Sequence, residues 1–140
     1  MNEVPEAASI GTRLEQAASL PEVLAAGFDA FEAIRVTARH HQDQVPALFA
    51  AFMTTADAAI DGREAITIAP SLLPAPATRP ARALTADADT GQAADTLAAL
   101  AAMLRDRLTD AAAQAGTPGD RAACQDAADA AGRICQLMTR

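Results

Sequence analysis

The stretch that most limits how this chain can fold is Ala47-Leu48-Phe49-Ala50-Ala51-Phe52-Met53, an unbroken apolar run opened by Pro46. Proline fits the first turn of a helix but not its interior. The run therefore predicts a helix from about Pro46 to Asp61, with Gly62 as a natural C-terminal stop. A helix apolar around its circumference needs neighbours on several sides. This one is accordingly expected at the centre of the fold, with Leu48, Phe49, Phe52, Met53, Ala56, Ala59 and Ile60 on its main stripe.

The segment before it reads as a partner helix. In Ser19-Leu20-Pro21-Glu22, proline in the first turn and an acid near the helix N-terminus mark a start. From Pro21 to His41, Leu24, Gly27, Phe28, Phe31, Ile34 and Ala38 follow the three-and-four spacing of one apolar stripe. Glu32 and Arg35 can pair on its solvated side. Asp43 is a candidate cap for the following helix, because Pro46 turns Val45 away from helical geometry. All four phenylalanines fall in this pair of helices, which is expected to be the most stable unit.

After Gly62 the pattern weakens. Within the crossover assigned to residues 63–89, Arg63-Glu64-Ala65-Ile66 either extends the helix past Gly62 or gives way to an extended Ile66-Thr67-Ile68. Pro70, Pro74, Pro76 and Pro80 then predict a non-helical connection to about Asp89, anchored by Leu72 and Leu73, that runs as an extended crossover. A partner-docking strip is the functional alternative for so long a connection. A second pair of helices follows. Leu97, Leu100, Ala101, Leu104, Leu108 and Ala111 form a stripe in a helix from Asp89 or Thr90 to Ala115. Gly116-Thr117-Pro118-Gly119-Asp120 then supplies a stop, a cap, a first-turn proline and an acid. The last helix is expected over Pro118 to Met138, with Asp129 and Arg133 paired on its outer face.

The fold class expected from these elements is an all-α four-helix bundle. Two antiparallel hairpins, residues 20–62 and 90–140, are joined by a long Pro-rich crossover within one domain of 140 residues. Residues 1–19 are expected to be mobile or to hold a short helix around Thr12 to Ala18, docked through Ile10, Leu14 and Leu20. Composition agrees, since alanine is the best helix former and makes up 39 of 140 residues, while Trp and Tyr are absent. Every basic residue is arginine, a bias that points to a GC-rich bacterial genome.

Several functions are disfavoured. The net charge of −7 and the scattered arginines leave no basic stripe for nucleic acid. No apolar stretch approaches a membrane span, and the acidic start, Met1-Asn2-Glu3-Val4-Pro5-Glu6, lacks the pattern of a secretory signal. A cytoplasmic protein is expected. No phosphate loop, nucleophile elbow or Cys-x-x-Cys motif occurs, and no cofactor or metal set is indicated. His40 and His41 lie at a helix C-terminus, where cations and donors cap carbonyls; the alternative is that one of them ligates a metal, senses pH beside Asp43 or serves an enzyme. The stacked pairs Asp57/Asp61 and Asp106/Asp110 sit beside arginines and read as solvated surface.

What remains is a non-enzymatic interaction module, binding a protein partner or itself. Its candidate self-association face is Cys124, Ala128, Cys135 and Met138, which share one side of the last helix. The two cysteines lie three turns apart, too far for a disulfide within that helix. Their bland reading is as core packers. The alternative function is a small-molecule or regulatory sensor, with an apolar pocket between the hairpins lined by Phe28, Arg35, Phe52 and Met53.

Overall fold

Ser19 accepts a hydrogen bond from the Glu22 backbone N–H, Glu22 accepts one from the Ala18 N–H, and the chain enters a helix directly behind them. The same device recurs twice. Asp89 and Gln92 form a reciprocal capping box, and Thr117 accepts from the Asp120 N–H. In each case side-chain oxygens satisfy backbone donors that the first turn leaves without partners.

The computed structural model describes residues 5–72 and 89–139. Within them the protein is all-helical: α1 Pro5–Gln16, α2 Leu20–His41, a 3-10 turn Pro46–Leu48, α3 Phe49–Thr67, α4 Thr90–Gln114 and α5 Pro118–Met138. The expected crossover largely falls on residues 73–88, outside the described residues. No described helix is long and apolar enough to cross a membrane.

Helix α2 packs along α3, α3 along α5, and α5 along α4, while α2 also meets α4. Contacts fix the directions. Glu32 of α2 binds Arg63 of α3, whereas Arg39 reaches Asp57, so α2 and α3 run oppositely. Likewise Arg133 of α5 reaches Asp61 of α3, and Asp120 reaches Ser71 beyond the end of α3. The start of α3 therefore lies beside the end of α5. Phe31, Phe52, Leu24, Ile34, Ile66, Leu97, Leu104, Leu108 and Ile134 are fully buried, and alanines such as Ala59, Ala101, Ala127 and Ala131 fill the seams between helices.

Five sequence expectations change. The segment before α2 is a docked helix, longer than a turn around Thr12 to Ala18: Leu14 is fully buried, and α1 packs on α2 and α4. Arg107 of α4 holds it by donating to the carbonyls of Leu14 and Ala17 at its C-terminal end. Cations there complement the helix dipole.

Gly62 does not stop α3. It lies buried inside the helix, which continues to Thr67, and it faces the ring of Phe31. The glycine is a packing hollow, with ordinary negative φ.

Asp43 caps nothing. The 3-10 turn begins at Pro46, directly behind Val45, and neither it nor α3 has a side-chain cap. Arg133, expected to pair with Asp129, reaches across to Asp61.

The largest change concerns the apolar run. Of its residues only Phe52 is buried; Leu48 and Ala51 are half-buried, and Ala47, Phe49, Ala50 and Met53 are exposed. The run lies at one end of α3, where α2 and α5 cover only part of the helix surface. Two of the four phenylalanines, Phe31 and Phe52, are core, Phe28 is half-buried, and Phe49 is 38% exposed.

Candidate functional site

Helix α3 opens on a surface face. Phe49 is 38% exposed and Met53 39%, and they stand one turn apart on the same side. Ile68, at the far end of α3, is the remaining large apolar side chain exposed among the described residues. Beside Phe49 and Met53, on the other flank of α3, lies an open groove of about 280 Å³ between Ala50, Ala51 and Thr54 of α3 and Gln136 and Leu137 of α5. No charged residue occurs from Gln44 to Ala56. Arg39 pairs with Asp57 at 3.9 Å and Arg133 with Asp61 at 3.5 Å, and exposed Asp43 directly precedes the uncharged stretch.

The four residues expected to line a ligand pocket are dispersed. Phe52 is fully buried and stacks on His41, with ring centroids 6.0 Å apart, while Met53 next to it points to the surface. Phe28 lies thirteen residues before His41 on α2, about 20 Å along the helix at 1.5 Å per residue. Arg35 is held at 2.8 Å by Glu32, which also binds Arg63. Burial pushes the Glu32 carboxyl up, but the two arginines outweigh it and hold the group below its ordinary value. This cluster joins α2 to α3.

The expected self-association face turns inward. Cys124, Ala128 and Met138 are buried in the core and Cys135 is half-buried against it. Burial, with the nearby Asp120 charge, pushes the Cys124 thiol up, which keeps it protonated and unreactive. The histidines divide. His40 is exposed, and its carbonyl accepts from the Gln44 side chain; His41 is a core residue packed on Phe52. The two rings meet edge to face at 5.0 Å. Asp57, Asp61, Asp106 and Asp110 are all exposed. Among the described residues no group of three His, Cys, Asp or Glu side chains converges as a metal site requires.

One buried polar cluster went unseen in the sequence. Asp120, 2% exposed, accepts from the Ser71 N–H at 2.9 Å, from the Ser71 hydroxyl at 2.6 Å and from the Thr117 hydroxyl at 3.0 Å. Hydrogen bonding from the Ser71 side chain is the main cause holding its carboxyl below the ordinary value, and it outweighs the effect of burial. Pro70 packs on Gly119 beside it. The cluster clasps the turn after α3 to the start of α5, and its donors are all spent within the protein. Thr117-Pro118-Gly119-Asp120 was legible as a cap; Ser71, forty-nine residues away, carried no signal.

No family model, curated protein or solved structure matches the chain. The functional reading therefore rests on the chain's own surface.

Proposed function

We propose that this protein is a non-enzymatic interaction module, in which two helical hairpins form a four-helix bundle that associates with itself or with a protein partner. The observation that carries the reading is the face at the start of α3, where Phe49 and Met53 stand exposed beside an open groove lined by Ala50, Ala51 and Leu137 together with Thr54 and Gln136. A contiguous exposed apolar patch with a polar surround is characteristic of contact surfaces. Met and Phe are also the residue types enriched at such contacts. The polar clusters support the same reading from the other side. Glu32 is spent on Arg35 and Arg63, and Asp120 on Ser71 and Thr117, so each ties helices together.

Native mass spectrometry of the purified full chain, with and without reductant, tests this. A dimer or higher oligomer of bare chains supports it, as does a monomer that takes up a purified partner in defined ratio. A monomer carrying a reproducible small-molecule adduct, lost on replacing Phe52 or Arg35, overturns it in favour of the sensor reading.

A further inference from the structure

We propose that α1 is a redox-sensitive strap, released from α2 and α4 when Met103 is oxidised to its sulfoxide. The proposal is independent of the self-association reading and rests on the seat of Gly11 over the Met103 thioether. Gly11 is buried within α1, and a Cβ built on it would stand 3.4 Å from the Met103 Cε and 3.6 Å from its Sδ. The end of the Met103 side chain therefore lies against bare backbone of α1. One turn further along α4, Arg107 donates to the carbonyls of Leu14 and Ala17. Met103 and Arg107 thus share the face of α4 that α1 covers, at a spacing where side chains on a helix meet.

Few contacts hold α1 in place. Among the described residues it packs on α2 and α4 alone, and residues 17–19 join it to α2. A helix of 12 residues is marginal in water by itself. From Ser9 to Gln16, Leu14 is the one fully buried side chain and Ile10 is half-buried. The Arg13–Asp29 ion pair is largely open to water and adds little. Loss of one seat therefore shifts the whole helix.

Met103 is half-buried, so hydrogen peroxide reaches its sulfur. One peroxide oxygen passes to Sδ as the O–O bond breaks and an S–O bond forms; sulfur gives up two electrons and water leaves. The apolar thioether becomes a polar acceptor. Its oxygen takes the Arg107 guanidinium from the Leu14 and Ala17 carbonyls, and it draws water to where the Gly11 backbone sits. Both effects favour the open strap. Two thiols of a sulfoxide reductase reverse the step, leaving a disulfide and water. Met138 is buried on α5 and Met53 exposed on α3, helices that α1 does not touch, so both serve as internal references.

Hydrogen exchange of the full chain before and after hydrogen peroxide, with oxidation followed at each methionine by peptide mass, tests this in the wild type, Met103→Leu and Arg107→Gln. Met103→Leu keeps the apolar bulk and cannot form a sulfoxide. Once Met103 is oxidised, exchange is expected to quicken about tenfold or more across α1 and less than about twofold across α5. Met103→Leu is expected not to respond although its Met53 oxidises, and Arg107→Gln, already loosened, is expected to gain less than about twofold. Full oxidation of Met103 with α1 exchange unchanged overturns the proposal, as does an equal response in Met103→Leu or an equal loss of protection across α5. A Met103 that resists peroxide as Met138 does, or an α1 unprotected before oxidation, overturns it too. A full response in Arg107→Gln overturns the role given to Arg107.

Discussion

The ring of Phe31 lies against the backbone of Gly62, so close that a methyl group added to the glycine would overlap the ring. Both residues are buried, and this contact is where α2 and α3 approach through a residue without a side chain. The neighbouring Glu32–Arg63 ion pair closes the same crossing from the solvent side.

Gly62→Ala is therefore expected to destabilise. In an unpacked helix interior the change gains about 1 kcal/mol, but forcing a methyl into a filled core costs about 1–3 kcal/mol. Overlap with a fully buried ring decides the sign. Gly132→Ala is the control, because its added methyl meets only the Arg105 Cδ at an ordinary 3.8 Å. Urea melts should show the first variant weakened and the second strengthened by up to about 1 kcal/mol.

The Asp120 clasp predicts an acid-dependent term. Its folded carboxyl is held below the ordinary value by Ser71 and Thr117. Its contribution is thus fully present above the unfolded pKa of about 3.9 and is lost as pH falls through the lower folded value. Asp120→Asn removes the acceptor used by both hydroxyls. At pH 7 the variant should be less stable by on the order of 1.5–3 kcal/mol, and denaturation between pH 7 and pH 2 should show the gap to wild type closing in acid.

Arg107→Gln should loosen α1 without weakening the rest. The guanidinium donates to the Leu14 and Ala17 carbonyls, and those bonds hold only the end of α1. Hydrogen exchange should show amide protection falling across α1, while α4 and α5 keep theirs, as expected when one unit opens below the global free energy.

Thr55 is fully buried, and its hydroxyl has no hydrogen-bond partner among the described residues. A buried hydroxyl without a partner costs roughly 1–3 kcal/mol. Thr55→Val keeps the shape and removes the oxygen, so thermal unfolding should move upward, by the equivalent of about 1 kcal/mol.

Much of the local structure was legible in the residues. The residues mark the helix starts at Ser19-Leu20 and Asp89-Thr90 and the Thr117 cap, and α5 begins and ends where its proline and apolar stripe indicate. The errors share one cause. Gly62 has the same composition signal whether it ends a helix or receives a ring. Phe49 and Phe52 belong to one apolar run, but which is buried depends on how far α2 and α5 extend over α3. Cys124 and Met138 share a helix side, and that side faces the core. Ser71 had no local reason to be joined to Asp120.

By itself the sequence determined that this chain is helical and where most helices start, because caps, prolines and periodicity act over one or two turns. It determined also that a metal set or phosphate loop would have to come from residues without a recognisable motif. Only the tertiary structure decided which apolar residues are core and which are surface. Burial is a property of neighbours brought together from distant positions, and at the start of α3 those neighbours cover Phe52 and leave Phe49 and Met53 in contact with solvent.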